Sequence, residues 1–166
     1  MGGWPPIEET GDTYLENALL KARGLAEHFA KPVFADDSGI EIDALGGAPG
    51  VRSARFAGPA ATEEQNNARM AELLTGVPLE RRTARYRCVA VLVTPDGKEI
   101  SAEGTCEGRI GLAPRGTGGF GYDPWFIPEG QERTFGELPA EFKHSISHRG
   151  KAFRELATKL RGVPWR

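Results

Sequence analysis

Four short stretches of this chain carry side chains able to do chemistry. "FADDSG" sets Asp36 and Asp37 side by side after a short apolar run and follows them with Ser38 and Gly39. Adjacent carboxylates repel, so they either lie in solvent as turn formers or face something positive. Carboxylates at the carboxyl end of a strand lie where ligands bind in α/β sheets, and paired acids there suit a hard cation such as Mg2+. Ahead of a helix that carries Lys21 stand Glu8, Glu9 and Thr10, acids that a helix N-terminus also favours on its own account. "GTGGFGYDPWF" combines glycines, among them Gly121, with Phe120, Tyr122, Asp123 and Trp125. Such glycines let the backbone approach a ligand, and the aromatic faces offer a base somewhere to stack. "KHSISHRG" groups Lys143, His148 and Arg149 near a helix start, a cluster suited to phosphate or to the oxygens of a base. Each stretch alone also reads as ordinary structure: a turn, a core strand or a solvated helix end.

Taken jointly, acids for a divalent metal, cations for phosphates and aromatics beside glycines for a base are the parts of a nucleotide site. GxxxxGK[ST] does not occur, and the one GxGxxG, Gly116 to Gly121, leads into an aromatic cluster instead of joining an apolar strand to a helix, so it lacks the context of a dinucleotide-binding fingerprint. Lys+Arg 21 against Asp+Glu 23 gives a net charge of -2, so no global field recruits a nucleic acid polymer or an anionic membrane. Cys88 and Cys106 stand in neither CxxC spacing nor a disulfide-dense pattern, and no stretch near 18 residues is apolar throughout. The expectation is a cytoplasmic chain whose cysteines are small buried apolar residues, brought near each other across a hairpin.

The elements that must position these residues follow from periodicity. The 166 residues suit one domain, 1–166, with an α/β (α+β) architecture. "TYLENALLKARGLAEHFAK" is a helix with apolar residues at three- and four-residue steps, and Thr13 with Glu16 forms a capping box. Asn17 and Lys21, four apart, share one of its faces. "PVFA" is expected as a short strand ending at Asp36, and "GIEIDAL" as a second strand with one wet face. A second helix begins near Thr62, with Gln65 as its box partner, and ends by Gly76. "TARYRCVAVLV" and "KEISAEGTCEGRIG" flank Asp96-Gly97 as a long antiparallel hairpin. A last helix starts near His148 with Ser147 as its cap.

"EETGDTYLENALLKAR", "ADDSGIEIDALGGAPGVRSARFAG", "GTGGFGYDPWF" and "SISHRG" together resemble the Ham1 family, the inosine triphosphate pyrophosphatases. The resemblance spans residues 8 to 150. It implies an elongated mixed sheet flanked by helices, two lobes with a central cleft, and a homodimer. It also implies Mg2+-dependent hydrolysis of ITP, dITP and XTP to the monophosphate and pyrophosphate, which cleans the nucleotide pool. Carried over by motif, Asp37 would be the general base and a metal ligand, and Glu9 the other metal-site acid. Ser38, Lys21 and Lys143 would meet the substrate, and Phe120, Gly121, Tyr122 and Asp123 with His148 and Arg149 would hold the base.

Inosine and xanthine carry a 6-oxo group where adenine has a 6-amino, so donors from His148 and Arg149 would accept the first and mismatch the second. Family members begin with a strand and a T-G-N-x-x-K loop that grips the triphosphate, and nothing of that form precedes "MGGWPPIEETG". A chain with this boundary is expected to turn over weakly, as a nucleotide-binding form of the same fold. A phosphatase of the aspartyl-phosphate type would need Asp-x-Asp, a spacing that "ADDSG" lacks.

Overall fold

The computed structural model describes residues 7–161, so both ends of the 1–166 span lie outside it. Helix α1 (Tyr14–Phe29) is followed by β1 (Val33–Ile42), α2 (Glu63–Leu73), β2 (Thr83–Val93), β3 (Glu99–Ile110), β4 (Phe126–Pro128), α3 (Ala140–Ile146) and α4 (His148–Leu160). Short 3-10 turns cover Asp43–Leu45, Gly50–Arg55 and Leu79–Arg81. The four strands form one sheet in the order β1-β2-β3-β4. The α/β (α+β) expectation holds, and of the mixed sheet expected the described strands supply an antiparallel part.

Capping sets where the helices begin. Thr13 Oγ1 accepts from the Glu16 N–H at 3.1 Å while Glu16 Oε2 accepts from the Thr13 N–H at 3.1 Å. Thr62 and Gln65 repeat the arrangement at α2, and Ser147 Oγ accepts from the Gly150 N–H at α4. Each cap satisfies amides that the first turn leaves without partners.

The run "CVAVLV" in β2 is apolar at every position because helices cover both faces of the sheet. Val89, Val91 and Val93 pack against Tyr14, Ala18, Ala22 and Ala26 of α1. On the opposite face Cys88, Ala90 and Ala102 meet Ala152 and Leu156 of α4. A third cluster, Ile40, Ile42, Tyr86, Phe126 and Phe135 with Met70 and Leu74, forms the core toward the other end. Cys88 and Cys106 are both buried and free, as expected. Cys88 stands opposite Gly104 and Cys106 opposite Tyr86, so the hairpin sets them two pairs out of register.

One expectation needs correcting. "PVFA" and "GIEIDAL" are not two strands with a turn at Asp36-Asp37-Ser38-Gly39; β1 runs straight through, pairing Asp36 with Ala90 and Asp37 with Val89. The acids do not bend the chain because their side chains have other partners, described below, and their backbone joins the ladder. Gly39 serves close approach instead of a turn: a Cβ there would strike the Gly50 carbonyl oxygen. Helix α3, strand β4 and the 3-10 turns were not foreseen, being too short for periodicity to mark.

Gly104 is the corresponding contact for α4. A methyl group there would collide with the His148 carbonyl oxygen and the Ala152 N–H. Gly104→Ala is expected to destabilise the fold by about 1–3 kcal/mol, read as a lowered midpoint of urea unfolding.

Candidate active site

Alternation along β1 resolves the paired aspartates. Successive side chains leave a strand on opposite faces, so Asp37 points toward α1 while Asp36 and Ser38 point toward α4. Each acid then meets its own cation.

On the α1 face, Asp37 is buried. Its Oδ2 accepts from Asn17 Nδ2 at 3.1 Å, and its Oδ1 lies 3.6 Å from Lys21 Nζ. Lys21 Nζ is also 2.8 Å from Glu9 Oε1. Asn17 and Lys21 reach Asp37 together because they stand one turn apart on α1. Asn17 is fully buried, and its Oδ1 accepts from the Gly11 N–H at 2.8 Å, which ties the segment carrying Glu9 to the helix. Arg55 steadies that segment from the other side, with Nη2 donating to the Glu9 carbonyl at 3.3 Å and Nη1 lying 3.9 Å from Glu9 Oε2. Burial raises the Asp37 carboxyl above its ordinary value, against the opposing pull of Lys21 and the Asn17 amide. A carboxylate made more basic by burial, and oriented by the Asn17 amide beside the Lys21 charge, is suited to take a proton.

On the α4 face, Asp36 Oδ2 accepts from Arg149 Nε at 3.0 Å, and Ser38 Oγ accepts from Arg149 Nη2 at 3.2 Å. The Cys88 thiol, pushed up to about 12 by burial and by Asp36, lies with its Sγ 3.5 Å from Asp36 Oδ2 and donates to it. His148 stacks on Tyr86 with ring centroids 4.6 Å apart and planes 9° from parallel. Tyr86 is itself wedged edge-on against Phe126.

The glycine-rich segment closes this end. Asp123, 1% exposed, accepts from the Phe120 N–H at 2.8 Å and from the Tyr86 hydroxyl at 3.3 Å, and forms an ion pair with Lys143. Lys143 Nζ also lies 4.4 Å from the centroid of the Phe120 ring. Asn67 Nδ2 donates to the Gly121 carbonyl at 3.0 Å, and the Tyr122 hydroxyl donates to the Ser53 carbonyl at 2.8 Å, so the loop is fastened to α2 and to the 3-10 turn. Phe120 remains 49% exposed, a flat apolar face presented to solvent.

A cavity of about 320 Å3 joins the two faces at the mouth of β1. Glu9, Lys21, Asp37, Ser38, Phe120, Gly121, Tyr122, His148 and Arg149, all singled out in the sequence, line it together. Asp123 and Lys143 do not. Lys143, expected as a phosphate cation, is buried and neutralised by Asp123 behind the aromatic loop. Residues that the sequence did not assign include Asn17, Arg55 and Tyr86. Only Asn17 left a signal, its four-residue spacing from Lys21. Tyr86 lies more than sixty residues before His148, and nothing local announces their stack.

His148 is 3% exposed, and its buried Nδ1 has no hydrogen-bond partner among the described residues. Burial, reinforced by Arg149, Lys143 and Lys151, pulls the imidazole from 6.5 down to about 3. The ring is therefore neutral in the fold, whereas the unfolded chain takes up its proton near 6.5. The stability this supports is complete above pH 6.5 and is lost as pH falls toward 3. Going from pH 7 to pH 5 is expected to cost about 2 kcal/mol through this residue. Urea unfolding at both pH values checks it, and His148→Asn should flatten the difference.

Among the described residues no group of three or more His, Cys, Asp or Glu side chains is placed to hold a metal ion. Glu9 and Asp37, drawn together on Lys21, still match the way Mg2+ is usually held, by one or two carboxylates with substrate phosphates completing the shell.

Comparison with known proteins places this arrangement. The model of the Ham1 family matches residues 1–159. The chain belongs to the Ham1 family. A dITP/XTP pyrophosphatase from Methylococcus capsulatus is 52% identical over 163 residues, covering 97% of this Ham1 chain and 81% of the relative. A dITP/XTP pyrophosphatase from Streptomyces coelicolor is 50% identical over 157 residues, with 95% and 78% covered. Among solved structures, a HAM1 protein from Coxiella burnetii superposes with a TM-score of 0.89 at 42% identity, covering 96% of this chain and 82% of that one. No described helix of this Ham1 chain is long and apolar enough to cross a membrane.

Proposed function

We propose that this chain hydrolyses non-standard purine nucleoside triphosphates, dITP, ITP and XTP, to the monophosphate and pyrophosphate, and so removes them from the nucleotide pool. The observation that carries the proposal is the division of labour across β1. A basic, buried Asp37 with Lys21 and Glu9 stands on one face, and Arg149 with a neutral His148 stands on the other, around a single cavity.

With a triphosphate in the cavity, its base lies toward His148, Arg149 and the Phe120 face, and its phosphates toward Lys21. Asp37 Oδ1 or Oδ2 takes a proton from water as that water attacks the α-phosphorus. Lys21 neutralises charge that builds on the phosphoryl oxygens, and pyrophosphate leaves. Glu9 and Asp37 would hold Mg2+, which when bound supplies charge neutralisation and orients the phosphates. Arg149 offers only donors, and a neutral imidazole offers one donor and one acceptor. A 6-oxo purine satisfies this edge better than a 6-amino one does. We place the chain in the cytoplasm, in keeping with its two free cysteines, and as a homodimer, in keeping with the family resemblance.

Incubation with Mg2+ and dITP tests the reaction class. Equal amounts of dIMP and pyrophosphate are expected, and release of orthophosphate with dIDP would overturn the proposal.

A further inference from the structure

Asp36 takes no part in the half of the site around Asp37. Its side chain leaves β1 on the opposite face, where its Oδ2 accepts from Arg149 Nε at 3.0 Å. Ser38, two residues on and on the same face, accepts from Arg149 Nη2 at 3.2 Å. One guanidinium is thus held at two of its nitrogens by a single strand, and its Nη1 makes no hydrogen bond among the described residues. The Cys88 thiol, donating to the same Asp36 oxygen from the neighbouring strand, fixes the carboxylate in turn. This tether matters because the Arg149 side chain is 42% exposed and could otherwise turn into solvent.

We infer that Asp36 is a positioning residue for base discrimination, holding Arg149 so that its free donors must face the 6-position of the purine. The inference rests on the nucleotide reading above and deepens it. A guanidinium carries donors and no acceptor, so it pairs with a 6-oxo group and opposes a 6-amino group. An arginine free to swing away would spare adenine that mismatch and discriminate little. A tethered one cannot withdraw, and the unpaired donor then disfavours adenine by roughly tenfold to a hundredfold. The same strand carries Asp37 as its next residue, so base recognition and water activation are registered to each other by one peptide unit.

The test is calorimetric binding of dIMP and dAMP, without metal, to the full chain and to Asp36→Ala, with kcat/KM for dITP and dATP alongside. The wild type is expected to prefer dIMP, and Asp36→Ala to lose about tenfold or more of that preference, chiefly because dAMP is no longer penalised. Asp36→Asn, which keeps an acceptor for Nε, should fall between. Should Asp36→Ala fail to fold, Asp36→Asn and Ser38→Ala, each weakening one hold on Arg149, are read by the same ratio. Unchanged dIMP/dAMP ratios in the folded variants overturn the inference. So does an equal loss of turnover on dITP and dATP with monophosphate binding intact, which would make Asp36 a metal ligand. If the wild type itself binds dIMP and dAMP equally, the specificity reading under Proposed function fails first, a result the wild-type arm reports on its own.

Discussion

Asp37→Asn is expected to lower kcat for pyrophosphate release by about 10²–10⁴-fold while leaving the fold as stable as before or more so. The two halves of this expectation come from one fact. Asp37 is buried, and burial raises its carboxyl above the ordinary carboxylate value, so the ionised form sits in the fold at a cost. Asparagine has nearly the same shape, its amide oxygen can still accept from Asn17 Nδ2, and Lys21 keeps Glu9 as its partner. The buried charge goes and the desolvation cost goes with it, but so does the buried carboxylate suited to accept a proton. Steady-state pyrophosphate release and the thermal midpoint, measured on the same preparation, check both halves. A structural Asp37 would behave oppositely, losing stability and activity together. Binding of dIMP should change little, which separates loss of chemistry from loss of the site.

Lys143→Met carries the largest expected effect on stability, about 3–5 kcal/mol, because it strands Asp123 as a buried carboxylate without a counter-charge. Asp123 is 1% exposed and organises its surroundings, accepting from the Phe120 N–H and the Tyr86 hydroxyl as well as pairing with Lys143. Without the lysine, the aromatic loop loses its anchor and the Tyr86 ring that supports His148 loses its hydroxyl partner's charge balance. Urea unfolding reads the loss, and adding Asp123→Asn should restore part of it, since both charges are then absent. Were Lys143 a surface phosphate cation, the single variant would shift stability by no more than roughly 0.5 kcal/mol and act only on KM.

The site was legible in the sequence where it is local. The capping boxes at Thr13 and Thr62, the shared helical face of Asn17 and Lys21, and the Ser147 cap beside His148 each depend on residues within a few positions. Ham1 membership was legible too, because its motifs are contiguous runs. What escaped was tertiary. Asp-Asp-Ser-Gly is turn chemistry by composition, and it became strand because Arg149 lies more than a hundred residues away and supplies the charge that composition omits. Lys143 looked like a free cation because its partner, Asp123, approaches from another loop. Tyr86 looked like an ordinary strand aromatic until α4 laid His148 on it.

The central claim is that Asp37 directs water onto the α-phosphorus. Hydrolysis of dITP in oxygen-18 water, followed by mass spectrometry of both products, tests it most directly. The account predicts one labelled oxygen in dIMP and none in pyrophosphate; label in pyrophosphate, with dIMP unlabelled, would contradict it.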